Sequence, residues 1–324
     1  MSSSENARAK ELLALSREAH WAFPTSSGRP VPADVPAWMN RLVSDRDAIA
    51  KAAVFFNDHG ASGSAMELAA NAWRVWIFVR EDAQGRAFLA SVLDRPAVAA
   101  TRARALVLYG DGLFAFRLGD LTASRERNEA ALQAARISND REGEGLALLG
   151  LSRVDLSEGH YEQARKHAAS SRTLLSIANG FNASFGQAPL GMLAQATRFA
   201  GTLDETVSLF EENLALNRRL DDRGMVIADL HNLGHVEMRR GNVDVAERYF
   251  EESARLSSEA GHNDDPYGQA MRLFNQATVA FARHNPERAA TLLDGARSVL
   301  EKAKIELATD DQYEFDDLCR RMKQ

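Results

Sequence analysis

The sequence predicts an all-α fold, a helical solenoid of about six helix pairs, and three observations predict it. One pattern recurs six times along the 324 residues, at intervals of 39 to 43: an apolar helix, a tight turn, then a second helix. The turns centre on Arg80, Gly119, Gly159, Gly201, Gly241 and His284, and small residues stand at fixed offsets from them. Five places after come Gly85, Ser124, Ala164, Thr206, Ala246 and Ala289; twelve places after come Val92, Ala131, Ser171, Asn213, Ser253 and Ala296. Seven places before stand Trp73, Gly112, Ser152, Ala194, Gly234 and Ala277, so only the first unit departs. Finally, apolar–polar alternation at period two is absent over any useful length, which leaves no candidate strand. Such units cannot bury their faces alone, so the repeats are expected to form one elongated, cooperative body.

The elements follow in order. Residues 5–22 read as a helix, with an apolar stripe of Leu12, Leu13, Leu15, Ala19 and Ala22. Four of the eight prolines, Pro24, Pro30, Pro32 and Pro36, then forbid helix. A second helix over 37–58 stops at His59-Gly60. Paired helices begin with 64–80 and 83–92 and continue over 99–136, 143–179, 187–219, 224–260 and 267–304. Asp-Asp-Arg-Gly at 221–224 and Asn-Asp-Asp-Pro at 263–266 supply caps and breakers between units. A helix over 309–322 ends the stack. The expected organisation is capping helices with a Pro-rich loop over 1–63, repeats over 64–308 and a C-terminal capping helix over 309–324. All four tryptophans lie in the first quarter of the chain. Trp38 and Trp73 read as core aromatics of the N-terminal cap, while Trp76 leaves a structural and a binding role open.

Composition narrows the function classes. With 45% hydrophobic and 26% charged residues the chain is ordinary globular material with ample core. A net charge of −6 argues against direct nucleic-acid binding, whose footprint is a basic surface. The single cysteine, Cys319, excludes an intramolecular disulfide and a zinc ribbon and fits a reducing compartment. The first eight residues lack an apolar signal core, and no stretch approaches the roughly 20 apolar residues of a membrane span. A soluble cytoplasmic protein without a membrane partner is expected.

Catalytic signatures are scarce. Gly60-Ala-Ser-Gly-Ser is not Gly-x-Ser-x-Gly and precedes a helix, and Gly143-Glu-Gly145 lacks the third glycine and the strand of a dinucleotide loop. Both read as helix caps. His231 and His235 share a helix face at the spacing of a zinc pair, but a third ligand is not evident and Asn232 replaces the glutamate of a zinc protease. The acidic run Asp310, Asp311, Glu314, Asp316 and Asp317 lacks calcium-loop spacing and reads as a solvated helix face. A binding protein without cofactor or metal is expected, not an enzyme.

Two strings carry a family resemblance. Leu-His-Asn-Leu-Gly-His-Val-Glu-Met-Arg-Arg-Gly-Asn-Val-Asp-Val-Ala-Glu-Arg-Tyr-Phe at 230–250 and Leu-Gly-Leu-Ser-Arg-Val-Asp-Leu-Ser-Glu-Gly-His-Tyr-Glu-Gln-Ala-Arg at 149–165 resemble tetratricopeptide repeats (TPR). More narrowly, they resemble the long-period repeats at the C-terminus of bacterial LuxR-type and SARP-type signal-transduction ATPase regulators. Ala37-Trp-Met-Asn-Arg-Leu and Ala65-Met-Glu-Leu-Ala-Ala-Asn-Ala-Trp-Arg-Val-Trp are similar to the segment that opens that domain. The resemblance covers nearly the whole chain. It implies a right-handed superhelix and a sensor part that binds an inducer or a partner protein in transcriptional regulation. The regulators' P-loop, Gly-x-x-x-x-Gly-Lys-Ser/Thr, has no counterpart here, nor has their DNA-binding element. The first and last turns, Arg80-Glu81-Asp82 and His284-Asn285-Pro286, depart from the family's glycine turn, as terminal units do.

In a TPR superhelix the first helices of successive pairs line the concave surface. Carried over, that frame implies a groove of Arg74, Phe78, Tyr109, Phe116, Arg117, Arg153, Arg198, Phe199, His231, Asn232, His235, Arg239, Phe274 and Asn275, with Ile77, Gln195 and Phe281 beside them and Glu67 as the main acid. Asn232 and Asn275 share one register, where an amide can donate to and accept from a peptide backbone. Arginines select carboxylate or phosphate, and rings supply apolar area. The expected partner is an extended peptide or protein segment, an acidic one being one option, and an anionic aromatic small molecule is the other target the set suggests. The competing readings are a solvated concave wall and a small-molecule effector held between the groove and the N-terminal aromatic cluster. Arg198 and Asn232 are expected to serve binding and to contribute little to stability.

Overall fold

The computed structural model describes residues 3–19, 37–94, 101–178, 183–260 and 265–323. Among these residues the structure is helical, with turns and short connections and no strand. The N-terminal helices are α1 (Ser3–Ala19), α2 (Ala37–Ser44) and α3 (Arg46–Asp58). The first pair is α4 (Ser62–Ala72), α5 (Arg74–Phe78) and α6 (Asp82–Leu93). The pairs α7 (Arg102–Arg117) with α8 (Leu121–Ile137), α9 (Arg141–Ser157) with α10 (Tyr161–Ala178), and α11 (Ala183–Ala200) with α12 (Leu203–Arg219) follow. Then come α13 (Arg223–Arg240) with α14 (Val243–Glu259), α15 (Pro266–Ala282) with α16 (Pro286–Ala303), and α17 (Thr309–Arg321). Two expected helices are broken: the one over 37–58 at Asp45, and the first helix of the first pair at Trp73. The only unit with a large residue seven places before its turn is thus the unit whose first helix breaks there. The Pro-rich loop and Trp21 lie outside the described residues, as does the side chain of Trp38.

Five of the six turns share one geometry, and the turn at Gly201, which lacks a left-handed φ, does not. Gly119, Gly159 and Gly241 take left-handed φ of +79° to +83°, and Arg80 and His284 adopt the same region at 60° and 59° despite their Cβ atoms. In all five the next residue's amide bonds back five places: Glu81 to Trp76, Asp120 to Ala115, His160 to Asp155, Asn242 to Glu237 and Asn285 to Ala280. That closes the helix C-terminus as a Schellman motif. At the other end Asp120, Thr202, Asp222, Asp265 and Asn285 each accept the backbone N–H three residues on, satisfying a first-turn donor.

The small residues stand where helices cross. Ser124, Ala164, Thr206, Ala246 and Ala289 are buried, as are Ala131, Ser171, Asn213, Ser253 and Ala296. At Gly112 of α7 an added Cβ would lie 2.6 Å from Asn128 Nδ2 of α8, closer than any real contact. The chain forms two compact units, residues 1–193 and 194–324, divided within α11. In the N-terminal unit α7 packs on α8, α9 on α10 and α8 on α9, and α4 joins α7. Trp73, Tyr109 and Phe114 meet edge to face in its core. In the C-terminal unit α13 packs on α14 and α15 on α16, with α12 on α13 and α14 on α15. Phe210, Leu230, Phe250 and Phe274 lie in its core. No helix among the described residues is long and apolar enough to cross a membrane. Ala246→Leu should cost about 1–3 kcal/mol by overpacking the α13–α14 crossing, read as a lower urea midpoint at unchanged slope.

Candidate functional site

Within the C-terminal unit the first helices of successive pairs are the end of α11, α13 and α15, and their polar side chains meet on one face. Arg198 of α11 is 1% exposed. Its Nη1 donates to Asn232 Oδ1 of α13 at 2.8 Å, and its Nη2 donates to Glu314 Oε1 of α17 at 2.7 Å. Asp310 Oδ2 lies 3.8 Å from the same guanidinium. A second row of bonds runs alongside. Asn275 Nδ2 of α15 donates to His231 Nδ1, and Asn275 Oδ1 accepts from His235 Nε2, both at 3.0 Å. With the amide in this orientation both neutral imidazoles carry their proton on Nε2. His231 Nε2 then donates to Asp311 Oδ1 at 2.9 Å, and the Tyr267 hydroxyl donates to Asp311 Oδ2. Rings complete the face: Phe274 stacks on His235 and packs against Phe315, and Phe199 meets Tyr313 edge to face.

α17 therefore lies across α11, α13 and α15. The expectation that its acids form a solvated face is overturned for two of them. Asp311 and Glu314 are buried with Phe315 and Leu318, at the i, i+3, i+4, i+7 spacing of one helical stripe. They point inward because the opposing face offers Arg198, His231 and Tyr267, and a buried charge requires a partner. Arg198 and Asn232, expected to contribute little to stability, are both buried in internal bonds, which argues for a larger contribution.

Burial and neighbouring charge tune these groups. His235 is held well below the usual imidazole pKa, first by burial and then by the neighbouring His231 and Arg198, beside which a positive charge is unfavourable. Burial works against ionisation of Asp311, but its contacts with the His231 imidazole and the Tyr267 hydroxyl outweigh it and hold the carboxyl below its usual range. Burial, followed by the Asp311 charge, pushes the Tyr267 hydroxyl up, so it stays a donor. Both nitrogens of His231 and Nε2 of His235 are engaged in these bonds, which leaves the pair no lone pairs aimed at a common metal. Asp155, Glu158 and His160 come close enough to share an ion, but Arg125 already bridges the two carboxylates at 2.7 Å each.

Beside α17 the C-terminal unit keeps a cavity of about 710 Å³, between α13 and α14 on one side and α15 and the start of α16 on the other. Ile227, Phe250, Ser253, Met271 and Asn275 are among its walls. Its volume is that of a small-ligand pocket. Gln195, at its edge, donates to Asp310 through Nε2 while its buried Oε1 has no partner.

Of the sequence-predicted residues, the structure gathers Arg198, Phe199, His231, Asn232, His235, Phe274 and Asn275 on this face, with exposed Arg239 donating to Arg198 O at 3.1 Å. The others lie in the N-terminal unit. Arg74 is buried with its guanidinium 4.6 Å over the Trp73 ring, and Tyr109 is buried and accepts from Arg153 at 3.2 Å. Arg117 pairs with Asp82, Phe78 and Phe116 are half-buried, and Glu67 is held by Arg17 of α1. Tyr267, Asp311, Glu314 and Phe315 complete this face without belonging to the repeat frame of the predicted groove. For Asp311, Glu314 and Phe315 the signal is a C-terminal amphipathic stripe in which carboxylates occupy apolar positions.

His235 binds its proton more weakly folded than unfolded, so its contribution to stability is present above about pH 6.5 and is lost as pH falls through its lowered folded pKa. The expected loss approaches about 1.4 kcal/mol per pH unit below pH 6.5, measured by urea unfolding, and His235→Gln should flatten it. Arg198→Ala, which strands Glu314, should cost about 3–5 kcal/mol in the same assay.

Comparison with known proteins bears on the fold. No family model and no curated protein matches the chain. Among solved structures, a Rap protein complexed with Competence and Sporulation Factor matches at TM-score 0.59 and 11% identity, over 97% of this chain and 80% of that one. The apo form of the quorum sensor NprR from B. thuringiensis matches at 0.58 and 14%, over 87% and 78%. BtubC from P. vanneervenii matches at 0.52 and 14%, over 84% and 94%. The chain thus has the all-helical, paired architecture of TPR-like repeat proteins.

Proposed function

We propose that this chain is an interaction and sensor module whose C-terminal unit binds a peptide, or a segment of a partner protein, on the face formed by α11, α13 and α15. One observation carries the reading. An amphipathic helix with buried carboxylates already lies on that face, held by Arg198, His231 and Tyr267, so its side chains are disposed to receive an acidic, aromatic-bearing segment. Asn232 and Asn275 stand at matching registers of adjacent first helices and orient the arginine and the imidazoles. Two proteins of similar fold support a sensing role: NprR is a quorum sensor, and the Rap protein was solved with a bound factor. The reading extends to signal transduction coupled to transcription, with binding rather than catalysis as the activity.

A small-molecule effector is the second reading, and the cavity of about 710 Å³ favours it. Its seat would differ from the expected aromatic cluster, because Trp73 and Trp76 are consumed in core packing, Trp76 stacked on Phe88. Selecting displayed random peptides on the full chain, then mapping the winners by hydrogen exchange, tests the two. Slowed exchange in α13 and α15 is expected. Protection only in the N-terminal unit, or no selection while a protease-treated metabolite pool raises the melting temperature, would overturn the peptide reading in favour of another seat or the effector.

A further inference from the structure

The helix α17 docks in an unusual way for a cap. A terminal helix that only shields a core presents an apolar stripe. The buried stripe of α17 is half carboxylate, Asp311 and Glu314 followed by Phe315 and Leu318, and the two carboxylates meet donors on different helices, Glu314 on α11 and Asp311 on α13 and α15. Phe315 and Leu318 share an apolar cluster with Met271, Phe274 and Leu293, whereas the carboxylates and their donors are groups that water could also satisfy on separation. The receptor half is already built: Arg198 is oriented by Asn232, and its backbone carbonyl accepts from Arg239. His231 is oriented by Asn275.

The connection to α16 suits release. Lys304 ends α16 in the left-handed region at φ 54°, and 305–308 carry no helix. The Ala308 amide bonds at 3.3 Å to Tyr267 Oη, and half-buried Leu307 packs on the apolar cluster of α15, α16 and α17. Outward, α17 shows Tyr313 and Asp316 to solvent.

We propose that α17 is an internal ligand of this face, and that the external partner which displaces it is an acidic amphipathic helix presenting two carboxylates and an aromatic ring in the register of Asp311, Glu314 and Phe315. The inference rests on the proposed function and deepens it by naming the partner's chemistry. A tether this short gives α17 an effective concentration of the order of millimolar, so the resident helix masks the face until a competing helix binds better or its own contacts weaken. The helical register argues for a protein segment over a diffuse anion: one guanidinium and one imidazole–phenol pair, on α11 and on α13 with α15, receive side chains three residues apart. Carboxylates at that spacing share one side of a helix.

Cys319, the only cysteine of the chain, reports on the dock without any substitution. It sits half-buried on α17 with Arg297 Nη2 3.0 Å from its sulfur, so a maleimide should label it slowly while α17 is seated. The probe is a fluorescein-labelled peptide of residues 309–323 with Cys319→Ser, added to the full chain. Saturating probe should speed Cys319 labelling several-fold, and Glu314→Lys in the protein should both speed labelling and tighten probe binding by about tenfold or more, since the competitor is weakened. Arg198→Glu should abolish probe binding, and a probe carrying Glu314→Arg should restore it, which separates a lost contact from a lost fold. If Glu314→Lys leaves Cys319 slow, or makes it fast without gaining probe affinity, the inference fails. Peptides that protect α13 and α15 yet leave Cys319 slow would keep the proposed function and sink the internal ligand.

Discussion

A guanidinium shut away from water must be met by a carboxylate, and in the C-terminal unit that demand organises everything around it. Arg198 is buried at the end of α11, where a neutral amide from Asn232 can orient it but cannot balance its charge. Glu314 supplies the balance from 116 residues further along the chain. Once α17 is drawn over the face for that purpose, Asp311 falls against His231 and Tyr267, Phe315 against Phe274, and Tyr313 against Phe199. The face is thus specified by charge pairing, with the rings filling space between the pairs.

Beneath that face the scaffold rests on backbone proximity. Alanine, serine, threonine and glycine at the crossings let neighbouring helices approach, and the left-handed turns with their five-residue back-bonds reverse the chain in few residues. The same device recurs in both units, which is why side chains at one register of successive first helices come to neighbouring positions. Asn232 and Asn275 are such a pair: Asn232 accepts from Arg198 on the preceding first helix, and Asn275 bonds His231 and His235 on the one before its own. A repeat architecture therefore supplies a row of sites, and what differs from row to row is chemistry. In the N-terminal unit the corresponding positions are spent internally: Arg74 lies over Trp73, and Arg153 donates to buried Tyr109.

The likeness to solved proteins is confined to fold, at 11–14% identity. A shared scaffold says that a row of first helices exists; it does not say what occupies it. Here the occupant is a piece of the chain itself, and the adjacent cavity of about 710 Å³ shows that α17 does not fill all the space those helices enclose.

The sequence by itself determined the helices, the turns and the crossings. Period, small-residue offsets and caps are local facts, each enforced by sterics and backbone hydrogen bonding within a few residues, and Gly119, Ala246 and Asp222 stand where those rules require. It also named much of the polar face, because Arg198, His231, Asn232, His235 and Asn275 share registers that a repeat brings together. It could not show that Trp73 would break its own helix, that the chain would divide within α11, or that the acids of α17 would turn inward. In sequence Asp311 and Glu314 look like any charged helix surface. Only the tertiary structure decided their direction, because burying a carboxylate is unfavourable until a donor stands opposite, and Arg198, His231 and Tyr267 reach α17 across 44 to 116 residues of chain.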